Sequence, residues 1–164
     1  MRTAIITIST SVAAGRHEDL SGQALAAAAR EAGAEVVANE VVSDDREAIE
    51  DALRRHSAPD ADVSLILTTG GTGLTPDDVT PEASRAVIER DAPGFAEAMR
   101  AESLKFTPMG MVSRGVSGIA GRTLIINFPG NPKSIAQLFP VIAPTLAHVV
   151  GTLQPERGAG HAGH

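Results

Sequence analysis

The chain has 164 residues, four phenylalanines, no cysteine, tryptophan or tyrosine, and a formal net charge of −6. That length suits one domain with a sizeable core, filled here by Ala, Val, Ile and Leu, and the missing thiols exclude cysteine nucleophiles, thiolate metal sites and disulfides. Scarce aromatics and a pI near 5.3 leave neither base-stacking platforms nor a broad basic surface, so no nucleic-acid partner is expected.

Residues 3–8 (TAIITI) form a short β-branched run that predicts a strand, and residues 21–32 (SGQALAAAAREA) predict an Ala-rich helix closed by Gly33. Residues 35–42 read as a second strand. Residues 44–55 (DDREAIEDALRR) read as a second helix, acidic in its first turn and basic in its last, as the helix dipole favours. A third strand covers 63–69 (VSLILTT), helices are expected over 80–91 and 93–104, a fourth strand over 123–128 (TLIINF), and a long amphipathic helix over 132–150. Strands alternating with helices imply a doubly wound, three-layer α/β domain with a mostly parallel sheet, spanning residues 1–150. The polar, Gly-rich end, 151–164, predicts a flexible tail. No basic-apolar signal segment opens the sequence and no run approaches ~18 apolar residues, so a cytoplasmic location without membrane contact is expected.

The stretch TTGGTGLTPDDVTPEAS, residues 68–84, follows the third strand, and in such sheets ligands bind beyond the carboxyl ends of strands. Gly70, Gly71 and Gly73, with Thr72 among them, can take positive φ and let several backbone N–H groups converge on one anion, phosphate being the natural guest. The pattern is neither the P-loop nor the dinucleotide fingerprint, and it equally suits a tight strand-to-helix turn. Asp77 and Asp78 follow at once. Two carboxylates beside a phosphate repel it unless a hard cation intervenes, and Mg²⁺ takes one or two protein carboxylates together with phosphate oxygens. Thr80-Pro81-Glu82 reads as a helix start, with Thr80 as N-cap.

A second Gly/Pro cluster, FPGNPKS at 128–134, also joins a strand to a helix. Its Lys133 opposes the helix dipole at that start. An anionic ligand would account for it, and the two glycine turns, at the ends of parallel strands, can line one crevice.

In this order, GGTG, D-x-T-P-E-A, Ser113-Arg114-Gly115 and PGNPKS resemble the MogA/MoaB family of molybdopterin adenylyltransferases, related to the Cnx1 and gephyrin G domains, over residues 3 to about 150. The resemblance implies an enzyme that uses ATP and Mg²⁺ to adenylate molybdopterin and release pyrophosphate, commonly as a homotrimer, with a hexamer also open. A downstream molybdate-insertion protein is an implied partner. Carried over, Gly70, Gly71, Thr72 and Gly73 cradle phosphate with Asp77 beside them. Asp44 and Asp78 are the catalytic, metal-holding acids. Ser113, Arg114, Gly130, Asn131, Pro132, Lys133 and Ser134 form the pterin side.

Four places depart from the pattern or read two ways. Asp77 stands where many relatives have Arg, and Thr10-Ser11 replaces an Asp often found after the first strand. Asp44 also suits a helix N-terminus, as does Asp19. Nucleotidyl transfer needs positioned phosphates and neutralised charge more than a nucleophilic side chain, and His17, His56 and His148 have no evident partner in the sequence. Two other readings stay open: a hydrolase related to the CinA amino-terminal domain, which often has two aspartates after a similar loop, and a molybdopterin-binding scaffold without turnover.

Overall fold

The computed structural model describes residues 1–154. Six strands form one sheet: β1 (Arg2–Ile8), β2 (Glu35–Val42), β3 (Leu65–Thr69), β4 (Arg90–Asp91), β5 (Ser117–Ala120) and β6 (Thr123–Phe128), in the order β2-β1-β3-β6-β5-β4. The first three and β6 run parallel, whereas β5 pairs antiparallel with β6 and β4 with β5. Six α-helices accompany them among the described residues: α1 (Thr10–Ala13), α2 (Leu20–Glu31), α3 (Arg46–Ser57), α4 (Thr80–Val87), α5 (Gly94–Ser103) and α6 (Pro132–Leu153).

The central strands are apolar on both faces because both faces are covered. On one face Ile5, Leu65, Leu67, Leu124, Ile126 and Phe128 pack under α2, α5 and α6, and Phe128 stacks on Phe139 with ring centroids 6.0 Å apart. The other carries Ala4, Ile6, Ile66 and Ile125 against Ile49 and Leu53 of α3 and Ala83 and Val87 of α4. The three-layer expectation holds.

Several boundaries differ from the sequence reading. The helix expected over 80–91 stops at Val87, because the chain turns extended at Ile88 and Arg90–Asp91 pairs with β5. Strand β5 has no counterpart in that reading: it has four residues, and one is Gly118, where a Cβ would meet Ile88 and the Arg90 carbonyl. The last helix runs to Leu153, three residues into the stretch expected as tail; residues 155–164, with His161 and His164, lie outside the described residues. By length and mean hydropathy (1.4) that helix could cross a membrane, although Gln137, Thr145 and His148 break its apolar stretch. Here Ile135, Leu138, Phe139, Ile142, Leu146 and Val150 bury one side of it in the core.

Candidate functional site

The chain leaves β1 toward β2 on one side and reaches β3 on the other. The carboxyl ends of β1 and β3 therefore flank the switch point of the sheet, where open α/β folds bind ligands. A crevice of about 400 Å³ lies there, walled by Thr7 to Ser9 after β1, Gly70 and Gly71 after β3, Gly130 and Pro132 after β6, and the acids Asp19 and Asp44. The two glycine turns meet as expected. Gly70 N–H donates to the Phe128 carbonyl at 3.1 Å and Thr69 Oγ1 to the Pro129 carbonyl at 2.8 Å. A Cβ at Gly130 would stand 3.1 Å from Gly70 Cα.

Within the first turn, every carbonyl is tied down. Thr80 Oγ1 donates to Gly70 O (2.9 Å) and Thr80 N to Gly71 O (3.1 Å). Arg114 N donates to Thr72 O (2.8 Å) and Arg114 Nε to Gly73 O (2.8 Å). The N–H groups of Gly71, Thr72, Gly73 and Leu74 make no hydrogen bond among the described residues. A trans peptide directs its C=O and N–H in opposite senses, so anchoring four successive carbonyls on protein donors presents four successive N–H groups away from them. Such a nest binds anions. Gly70 and Gly71 have φ of +104° and +65°, and a Cβ on either would overlap Ile8 O or Thr80 Oγ1. Thr80 is thus not the N-cap of α4, a position held by Val79; its buried hydroxyl belongs to the loop.

Asp44 Oδ2 accepts from Thr10 N at 2.8 Å and Thr10 Oγ1 at 2.9 Å, and Asp44 N donates back to Thr10 Oγ1 at 3.0 Å. This leaves Oδ1 unengaged among the described residues. The α3 N-cap is Asp45, whose carboxylate accepts from Ala48 N, so the acid at position 44 does not serve as the cap. Asp19 does cap a helix, taking Gly22 N at 2.8 Å through Oδ1 and Thr7 Oγ1 at 2.9 Å through Oδ2. Asp78 turns one oxygen back on its own loop, accepting from Thr75 N (3.0 Å) and Thr75 Oγ1 (2.7 Å), and it is not among the residues lining the crevice. Asp77 is exposed. No group of three or more His, Cys, Asp or Glu side chains placed to hold a metal occurs among the described residues. A Mg²⁺ ion brought in with phosphate oxygens needs only one or two carboxylates, and Asp44, on the crevice wall with a free oxygen, fits that need.

The expected pterin-side residues divide. Gly130 and Pro132 line the crevice; Asn131 caps α6, its Oδ1 accepting from Lys133 N at 2.9 Å. Lys133 is exposed and forms no ion pair among the described residues, and Ser134 is half-buried. Ser113 lines a separate recess of about 20 Å³ under α5, with room for about one water. Arg114 turns toward the glycine loop. Its guanidinium also donates to Asp78 O at 2.6 Å and forms an ion pair with Glu82. The hydrogen bond from Arg114 holds the Glu82 carboxyl below its ordinary range, and Glu82 in turn raises Arg114. Neither Glu82 nor Thr80 stood out in the sequence as a loop partner. His56 of α3, without an evident partner in the sequence, meets Glu40 of β2 at 2.8 Å, and neither lines this crevice.

Fold and site define an α/β protein with a crevice at the switch point of its sheet, beside a glycine loop whose N–H groups are unengaged among the described residues. Residues 4–148 match the family described as a probable molybdopterin binding domain, and the chain belongs to that family. It is 38% identical over 152 residues to a molybdopterin adenylyltransferase of Helicobacter pylori J99, a match covering 89% of this chain and 84% of that protein. Its fold superposes with a TM-score of 0.86 on the molybdopterin biosynthesis enzyme MoaB of Thermus thermophilus, at 40% identity and covering 93% of this chain and 95% of that one. A CinA protein of Thermoplasma acidophilum, 22% identical with a TM-score of 0.65, shares the fold alone.

Proposed function

We propose that this chain is a molybdopterin adenylyltransferase of molybdenum cofactor biosynthesis, transferring AMP from ATP to the terminal phosphate of molybdopterin with release of pyrophosphate. The observation that carries the reading is the row of four unengaged N–H groups from Gly71 to Leu74, which starts at Gly71 on the wall of the crevice that Asp44, Gly130 and Pro132 also line. Those N–H groups receive the nucleotide phosphates. Gly130 to Ser134 form the pterin side, where Lys133 offers its charge to the phosphate of the pterin. Asp44, oriented by Thr10, would hold Mg²⁺ together with phosphate oxygens, whereas Asp78, with Oδ2 turned onto Thr75 outside the crevice lining, is not needed for that site. When bound, Mg²⁺ supplies charge neutralisation for the transferring phosphate.

Catalysis then rests on position. The loop fixes the α-phosphate in line with the attacking pterin phosphate oxygen, and no side-chain nucleophile is needed. The chain functions as a homo-oligomer, a trimer in the simplest case, and delivers adenylated pterin to a molybdate-insertion protein. Support for self-association comes from α6, an apolar helix that leaves Pro140, Pro144 and Ala147 exposed on the side away from the core.

The test is incubation with molybdopterin, Mg²⁺ and α-labelled ATP. Label appearing on the pterin, with pyrophosphate released, supports transfer. Tight pterin binding without label transfer identifies a scaffold, and cleavage of a dinucleotide without pterin identifies a CinA-like pyrophosphatase; either result overturns the reading.

A further inference from the structure

The resemblance assigns Arg114 to the pterin side, but its bonds lead elsewhere. A guanidinium has five N–H donors. Nε holds Gly73 O, one terminal nitrogen holds Asp78 O, and both terminal nitrogens face Glu82. The two carbonyls it grips belong to the beginning and end of the segment that carries the glycine turn into Asp78, and Glu82 sits on the first turn of α4, where that segment lands. Arg114 therefore ties the six-residue segment 73–78 to the first turn of α4 through Glu82. The chain around it is fixed as well: Arg100 of α5 donates to Gly115 O at 2.8 Å.

We propose that Arg114, held by Glu82, is a positioning residue for the nucleotide and not a pterin ligand. By turning the Gly73 carbonyl toward itself, its Nε aims the Leu74 N–H outward, while the second carbonyl keeps Asp78 in register with the turn. Thr80 does the same for Gly71 and Thr72 N–H through the carbonyls of Gly70 and Gly71. Arginine suits this task because its planar fork reaches two carbonyls and a carboxylate at once, which a lysine ammonium on a flexible stem cannot do with fixed geometry.

This inference rests on the reading of the loop as the phosphate site, and its test separates the two. Affinities for ATP with Mg²⁺ and for molybdopterin are measured by calorimetry on the full chain and on Arg114→Ala, Arg114→Lys and Glu82→Gln, each alongside its melting temperature. Arg114→Ala keeps the backbone bond to Thr72 O but loses both carbonyl grips. It is expected to weaken ATP binding on the order of tenfold, the scale of a charged hydrogen bond, while molybdopterin binding stays within about twofold. Arg114→Lys recovers part of the loss. Glu82→Gln, which leaves the guanidinium in place without its counter-charge, moves ATP affinity in the same direction by less and serves where Arg114→Ala does not fold. Equal losses for both ligands, a larger loss for molybdopterin, or unchanged ATP affinity overturns the proposal. A wild-type protein that binds ATP but adenylates nothing overturns only the functional reading, since the ATP affinities still decide the role of Arg114.

Discussion

Replacing Gly70 by alanine adds one methyl group at a φ of +104°, where its Cβ would overlap the carbonyl oxygen of Ile8. Two costs combine. Holding an L residue in that region costs about 1–3 kcal/mol. Displacing backbone to relieve the overlap adds about 1–3 kcal/mol, the range of overpacked cores. The expected destabilisation is therefore about 2–6 kcal/mol, a large share of the 5–15 kcal/mol typical of a domain. Gly33 supplies the control: its φ is +84°, but a Cβ there meets nothing within 4 Å, so Gly33→Ala carries backbone strain of about 1–2 kcal/mol and no overlap. Urea unfolding of both variants gives the difference, and calorimetry without urea, at a temperature where both are folded, gives their ATP affinity. Gly70→Ala should be the less stable and should lose ATP binding, because relieving the contact with Ile8 moves the loop that carries the free N–H groups. Equal stability of the two variants, with normal ATP binding by Gly70→Ala, would refute the packing argument.

Asp44→Asn should keep the melting temperature within a few degrees, since the amide oxygen can still accept from Thr10, while adenylation falls by at least tenfold and loses its dependence on Mg²⁺ concentration; a rate near wild type removes Asp44 from the metal site. Lys133→Ala should weaken molybdopterin binding by about tenfold and leave ATP binding unchanged, and equal binding of both ligands by variant and wild type reduces Lys133 to a surface residue. Asn127 is 1% exposed and links Thr68, Ser84 and the Val116 N–H, so Asn127→Ala should cost about 2–4 kcal/mol in urea unfolding by leaving buried groups unpaired; a smaller change means that water replaces the amide. Because the Glu82 carboxyl lies below its ordinary value of 4.5 when folded, its contribution is present above that value and lost as pH falls through the lowered one. Acid titration of stability should therefore be shallower below pH 4.5 in Glu82→Gln than in wild type, and parallel curves would show that the pair contributes nothing.

The glycine turn and its place at a strand end were legible in the sequence because apolar β-branched runs and Gly clusters are local signals. So was the meeting of the two turns, which follows from parallel strands ending on one side. The partners of the turn were not legible. Arg114 and Thr80 act on backbone carbonyls, and a carbonyl is the same at every residue, so nothing in the letters of GGTG says which side chain will hold it. The register of acids was also hidden: Asp44 and Asp45 are adjacent and chemically alike, and only the path of the chain decides that the second caps α3 while the first turns to Thr10. Strand β5 escaped because its pairing with β4 and β6, not its own four residues, makes it a strand. The same edge pairing ends α4 at Val87, against residues with adequate helix propensity.

The most direct measurement of the proposed site is a crystal structure of the protein with Mg²⁺ and a non-hydrolysable ATP analogue. Phosphate oxygens are predicted within hydrogen-bonding distance of the N–H groups of Gly71, Thr72, Gly73 and Leu74, with Asp44 facing them across the crevice and the Gly130 to Ser134 turn left open for the pterin. A triphosphate bound elsewhere, with those N–H groups untouched, would contradict the assignment of the glycine loop.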